Sequence, residues 1–437
     1  MPFSRLDSAA IGRSLAQVAD RPGDVAEVYL ERLEVVSVAD TAAGADLSVR
    51  REGGLAVRLL RDGLTWLASR DGFEGDELAA ALRQVARAMP AAPYPRPRIE
   101  LEGWTRAPEV GELEAFPGEL ERAVHARRAA FPWRLTVSRH RRDLQVVGPL
   151  LVPEPERESF YSVAVELPWG RHGTLLPALD DGAAARLADE LVEAFRAREA
   201  APPAAGPADV VLGAGACAVL LHEAVAHALE SDTLLMGGRP EAAADQLLGT
   251  ALLDVLDDPA SAPETVRRRT DDEGMPVERR WLLRGGRVGQ PLADLFAARS
   301  SPDLTPGAAR RAGRHLPPVP RSTHLELLPR EGSLDELVEE TGEGLYFPVA
   351  TRGALDPLTG EFTLELPHGR AISGGRLAAA VGRSRLRGRV AEILGSVSGV
   401  GGEAVPAGAG WCAKGGQRLP VWATAPPLRI DGAEIGP

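Results

Sequence analysis

Residues 222–227 read His-Glu-Ala-Val-Ala-His within an otherwise apolar run that starts near Ala216. A short apolar strand, Val210–Leu212, leads into this run through Gly213 and Gly215, and the pattern predicts a helix from about Ala216 to Glu230. Two imidazoles with a carboxylate beside the first point to a metal site. The spacing then constrains the helix itself. At about 100° per residue, positions four apart lie about 40° apart, which is why H-E-x-x-H chelates one ion. Positions five apart lie about 140° apart, on nearly opposite faces. Both histidines reach one ion only if the helix is locally over-wide or kinked, as at a π-type bulge. The sequence therefore predicts an irregular helix between His222 and His227.

The 437 residues are enough for two or three domains. The stretch 201–208, APPAAGPA, reads as a linker. It divides the chain into an N-terminal α+β domain, 1–205, and a mostly-β C-terminal domain, 206–437, carrying the irregular helix. In the first part, 9–19, 75–88 and 181–200 have helical patterns. Strands are expected over 26–38, 47–51, 55–61, 64–69, 135–137, 144–152 and 161–167, as an antiparallel meander, with 89–98 as a connection. Arg61-Asp62-Gly63 marks a turn. In the second part short strands are broken by Gly and Pro, among them 280–284, 325–328, 362–366 and 428–430. Ser333 is placed to cap a helix over 333–341. The fold class expected is α+β.

A net charge of −12 argues against a nucleic-acid binder held by a basic face. No apolar run approaches the ~20 residues of a membrane span, and the first residues lack the apolar core of a signal peptide. A cytosolic protein with no membrane and no nucleic-acid partner is the default. Two cysteines, Cys217 and Cys412, make no disulfide framework. Of the fifty basic residues one is a lysine, Lys414. A lysine that persists amid such arginine bias has two readings, chance survival or a place where arginine does not fit.

Two readings compete around the helix start. Gly213-Ala-Gly215-Ala-Cys-Ala218 matches a dinucleotide fingerprint, but no second strand ending in an acid follows about 20 residues on. The match is weak on its own, and small residues that let the helix start pack closely account for the glycines better. For the metal reading a third ligand is needed. Candidates are Cys412, His315, His324, His368 and many carboxylates. Cys412 sits in a glycine-rich turn, Gly410–Gly416, and thiolate binds zinc well, whereas Cys217 reads as a small core residue.

At these residues the chain resembles the TldD/PmbA family, and its TldD-like members in particular. The helix His222-Glu-Ala-Val-Ala-His-Ala-Leu-Glu-Ser-Asp232 is similar to the family's HEAVGHGLEGD. Gly410-Trp-Cys-Ala-Lys-Gly-Gly-Gln-Arg-Leu-Pro-Val421 is similar to its GxCGKxGQxxPV. Asp271–Gly274 resembles its DDEG, and Arg321-Ser-Thr-His324 its RxTN with histidine for asparagine. Ala228, Ser231 and Ala413 stand where the family has glycine. The resemblance implies a zinc metallopeptidase acting on unfolded or linear peptides, in peptide maturation or degradation of small unfolded proteins. It implies His222, His227 and Cys412 as ligands of Zn²⁺ and Glu223 as general base. It also implies a homodimer, or a heterodimer with a PmbA-like chain. Glu230, three residues after His227, is placed to orient an imidazole, and Lys414 to face substrate or thiolate. His324 is at most a substrate-cleft residue. The alternatives are a non-catalytic, metal-containing peptide-binding subunit of such a complex, and a nicotinamide-dependent oxidoreductase.

Overall fold

The computed structural model describes residues 3, 6–41, 44–86, 107–148, 154–235 and 243–437. The expected connection 89–98 and the end of the strand expected over 144–152 lie outside the described residues.

The N-terminal part is built on one six-stranded antiparallel sheet. Its strands are β1 (Val25–Thr41), β2 (Gly44–Arg61), β3 (Leu64–Asp71), β4 (Arg134–Val147), β5 (Glu156–Leu167) and β6 (Gly170–Leu176), in the order β3-β2-β1-β4-β5-β6. The meander expected from the sequence is thus two hairpin runs joined along β1 and β4. The strands expected over 47–51 and 55–61 are one strand, because β2 pairs with β1 without a break through Gly53 and Gly54.

Side chains alternate across a strand, and here the two faces do different work. On one face Val28, Leu30, Leu55 and Val57 pack under α1 (Ser8–Val18) and α2 (Gly75–Val85). Further along it, Val36, Val38, Val137 and Val163 pack under α3 (Gly111–Ala126) and α4 (Ala183–Ala197). The sequence reading missed α3, since Pro117 and Gly118 interrupt its pattern. It forms because Leu113, Phe116, Leu120 and Val124 bury one stripe against the sheet, and tertiary packing outweighs the local cost.

The opposite face meets the C-terminal part through buried charge. Glu27 of β1 and Arg58 of β2 hold Arg311 and Glu273. Arg268 binds Glu156 at 2.7 Å and Glu158 at 3.1 Å on β5, and Asp272 at 3.0 Å. The Asp271–Gly274 segment therefore belongs to this seam. Asp271 accepts from the backbone N–H groups of Glu273, Met275 and Ala309, and Asp272 from that of Arg311.

After residue 205 two larger sheets and a two-stranded ribbon form among the described residues. β7 (Gly206–Leu212) lies inside a nine-stranded sheet, parallel to Gly344–Phe347 and antiparallel to Leu428–Gly436. Arg352–Leu355 is an edge strand of that sheet. A six-stranded sheet pairs His324–Leu327 in parallel with Gln417–Ala425, and its edge strand is Val405–Lys414. Between the two sheets lies the irregular helix, whose Leu220, Leu221, Ala224 and Val225 share one core with Val255, Leu325, Phe347 and Ile430. Ser333 caps the helix Leu334–Thr341 as expected, with Glu336 closing a capping box. The α+β class expected from the sequence is the class observed.

Candidate metal centre

β7 ends at Gly213, where a Cβ would stand 3.0 Å from both Cα and O of Pro348. At Gly215 it would stand 3.1 Å from Val349. The two glycines thus serve close packing of the helix start. From there α5 (Ala214–Leu220) runs into a π-turn, Leu221–Ala226, and then a single 3-10 turn, His227–Leu229. The irregularity expected from the spacing is present as a widened turn. It is closed by the His227 N–H donating to the His222 carbonyl, a bond between the two histidines themselves. Their rings are brought to 4.4 Å between centroids, at 66°.

The third group arrives from a residue 185 positions away. Cys412 lies on the edge strand Val405–Lys414, and its Sγ is 3.2 Å from Nε2 of His227. One ligand atom each from His222, His227 and Cys412 all lie within 4.8 Å of one another. Among the described residues neither ring nitrogen of His222 has a hydrogen-bond partner, although the residue is buried. An orphaned buried imidazole costs free energy unless something outside the protein satisfies it. Two imidazoles and a thiol converging on one point suit zinc, whose catalytic sites take three protein ligands and keep one position open. The residues present therefore fit the ion.

The surrounding charges fix the donor states. Burial first, then the neighbouring His227, holds His222 well below the usual histidine range, so the ring stays neutral and one of its nitrogens keeps a free lone pair. For His227 burial works in the other direction from the net result. The Glu230 carboxylate and Cys412 outweigh it and push the ring up to about 10. Glu230 is fully buried, yet His227, Lys414 and Arg321 together hold its carboxyl far below the usual carboxylate range. It accepts from His227 Nδ1 at 2.8 Å, Lys414 Nζ at 2.6 Å and Arg321 Nη1 at 3.2 Å. Lys414 also donates to Asp232 at 2.6 Å. Its single ammonium bridges two carboxylates, a task for a compact point charge rather than a planar fork. Sequence reasoning did not single out Arg321; the RxT resemblance was the only signal.

Glu223 stands beside this group. Burial, reinforced by Glu230 and opposed by His227 and Arg321, raises its carboxyl above the usual range. Its carboxylate makes no hydrogen bond among the described residues. Packing places it instead: a Cβ on Gly353 would lie 2.3 Å from Cγ of Glu223. Gly353 was not foreseen, because its partner lies on another element with no local signal.

His222, Glu223, His227, Glu230, Cys412 and Lys414 all line one cleft of about 1150 Å³. Its far wall is the N-terminal sheet, with Ser138 and Ser162 on its floor. Both edge strands, Arg352–Leu355 and Val405–Lys414, border it. His324 does not line the cleft. Its ring is buried and meets Thr424 Oγ1 at 2.9 Å, on the strand Gln417–Ala425 that pairs in parallel with its own. His315 is at the surface beside Ser69, and His368 is buried outside the group. Cys217 is a core residue whose thiol burial pushes up to about 12.

Residues 205–437 match the family model of the PmbA/TldA metallopeptidase C-terminal domain. A metalloprotease TldD homologue of Haemophilus influenzae is 31% identical over 238 residues, 53% of this chain and 48% of its own length. A metalloprotease of Archaeoglobus fulgidus is 31% identical over 241 residues, 55% of this chain and 56% of its own. The chain thus spans about half the length of the curated relatives it matches. The fold is shared more widely. TldE from Thermococcus kodakarensis superposes with a TM-score of 0.74 at 15% identity, over 98% of this chain and all of that one. A Thermotoga maritima protein does so at 0.73 and 16% identity, over 97% of this chain and 99% of its own. With a helix, a cysteine turn and a buried seam that answer to its sequence pattern, and with its C-terminal half matched throughout, this chain belongs to the TldD/PmbA family of metallopeptidases.

Proposed function

We propose that the chain is a zinc-dependent peptidase acting on unfolded or linear peptides. The observation that carries this reading is the convergence of His222, His227 and Cys412, with Glu223 beside them, at one point of a long cleft. These three residues would hold the ion, which when bound acts as a Lewis acid and makes water a nucleophile near neutral pH.

The protein groups do the rest. Glu230 accepts the Nδ1 proton of His227 and so keeps Nε2 turned towards the thiol. Lys414 and Arg321 neutralise Glu230 and lock the cysteine turn to the helix end. Glu223, its proton affinity raised by burial, takes a proton from the attacking water and returns it to the leaving amine. The strands Arg352–Leu355 and Val405–Lys414 are sheet edges that border the cleft, the kind of place where an extended chain adds by main-chain hydrogen bonds. Recognition through the backbone makes little demand on sequence and requires an unfolded substrate. On this reading 206–437 carries the chemistry and 1–205 closes the cleft, and the working assembly is a homodimer or a pair with a PmbA-like chain.

The test is cleavage of a linear peptide by the purified chain, alone and with a PmbA-like partner, with and without chelator. Turnover that chelator abolishes and zinc restores is expected. Glu223→Ala should keep zinc and lose cleavage at least 100-fold, within the range for a general base. Metal bound without cleavage in any arm would leave a peptide-binding subunit instead.

A further inference from the structure

We propose that the cleft selects acidic peptides, with arginines along its walls receiving aspartate or glutamate side chains towards either end of the bound peptide. This rests on the peptidase reading and adds the substrate's chemical class.

The chain as a whole is acidic, at −12. Its cleft departs from that balance. Arg50, Arg134, Arg171, Arg352 and Arg418 line it and are exposed. Arg134, Arg171, Arg352 and Arg418 form no ion pair among the described residues, and Arg50 has only the exposed Glu52 at 3.4 Å. The other charges on the walls are accounted for. Arg142 is spent on Glu31 and Glu158, and Lys414 on Glu230 and Asp232. Asp40 and Glu166 are the opposing acids away from the metal centre, both near Arg134. A bound divalent ion would add further positive charge.

The arginines have an order. Arg50 of β2 and His140 of β4 both stand in register with Val35. Arg418 comes from the opposite wall, its guanidinium 4.7 Å over the ring of Trp411, and Trp411 is next to Cys412. The Trp411 ring in turn meets His140 at 5.4 Å. Burial, then Arg50 and Arg418, pushes His140 down to about 4, so the ring between the two guanidiniums stays neutral. Arg134 lies six residues from His140 on β4, about 20 Å at 3.4 Å per residue, with Arg171 beyond Glu166 in the same cross-strand row. Between the two ends the floor is small: Ala39, Thr136, Ser138, Ser162, Ala164 and Gly173. An extended chain of about six residues fits that length with carboxylates at either end. Guanidinium binds carboxylate through paired hydrogen bonds.

The probe is a set of linear peptides identical at the cleaved bond, with flanks of Glu, Gln or Lys, each with a free or an amidated C-terminus. kcat/KM is measured with the zinc-loaded chain, with a PmbA-like partner present, at low and high salt. Binding of the same peptides to the Glu223→Gln chain is measured in parallel. The Glu peptide should exceed the Gln peptide roughly tenfold, two exposed pairs at about threefold each. The Lys peptide should be worst, and the spread should shrink as salt rises. Arg50→Gln/Arg418→Gln should lower the Glu-to-Gln ratio to about threefold, and adding Arg134→Gln/Arg171→Gln should bring it close to one, whereas Arg376→Gln, outside the cleft, should change nothing. Equal kcat/KM for all flanks would overturn the proposal and leave the peptidase reading standing. Preference that follows only the free C-terminus would overturn it in favour of terminal-carboxylate capture. If no peptide is cleaved the peptidase reading fails, and the binding series alone decides, equal affinities refuting acid selection.

Discussion

Replacing Gly353 with alanine separates the placement of Glu223 from the binding of metal. The added Cβ would stand 2.3 Å from Cγ of Glu223, and 2.8 Å from both Cδ and Oε1. Carbon atoms rest at about 3.5–4.0 Å, so the carboxylate must withdraw by roughly 1 Å or the edge strand must lift by as much. Gly353 lies within the extended strand Arg352–Leu355, where alanine meets no backbone strain. The perturbation is therefore purely one of position. A misplacement of about 1 Å costs about 100-fold in rate. The assay is kcat/KM on a linear peptide, with zinc content by elemental analysis and a thermal melt alongside. The expected result is a fall of about 100-fold at wild-type zinc content. Overpacking costs about 1–3 kcal/mol, which the melt records as a separate, smaller effect. A Gly353→Ala chain with full zinc and unchanged kcat/KM would show that the position of this carboxylate does not set the rate, and would refute the role given to Glu223.

Cys412→Ser should lower zinc stoichiometry, because a hydroxyl replaces a thiolate donor, while His222 and His227 alone hold the ion weakly; unchanged stoichiometry would reassign the third ligand. Lys414→Met leaves Glu230 with one cation fewer and Asp232 without its ammonium, so stability should fall by about 2–3 kcal/mol, and denaturant titration checks this. Lys414→Arg should restore only part of it, since a planar fork does not fit between the two carboxylates. Burial holds the His324 ring down to about 4, below its unfolded value of about 6.5. The unfolded chain therefore takes up this proton first as pH falls. The contribution of His324 is complete above pH 6.5 and is lost progressively down to about pH 4, up to about 3 kcal/mol. His324→Asn should remove this share of the stability loss over that window, with buried His140 and His368 keeping theirs, and leave peptide turnover unchanged; a wild-type pH profile would refute it.

Much of this was legible in residue order. The spacing of His222 and His227 required a widened or kinked helix turn, because five residues of a regular helix put two side chains on opposite faces. Ser333 announced a helix start, and Arg61-Asp62-Gly63 the turn between β2 and β3. These signals are local: backbone geometry alone converts spacing into shape. The resemblance to the family singled out Cys412, which spacing had left as one candidate among several.

What the sequence could not determine is which distant groups meet. That Lys414 would bridge Glu230 and Asp232, that Gly353 would press on Glu223, and that Asp271–Glu273 would seal a seam with the N-terminal sheet all depend on contacts between elements far apart in the chain. The helix α3 belongs with them, for Pro117 opposes it locally and only the stripe it buries on the sheet holds it. Such contacts arise where packing of separate elements wins over local preference, and only the tertiary structure decides that outcome.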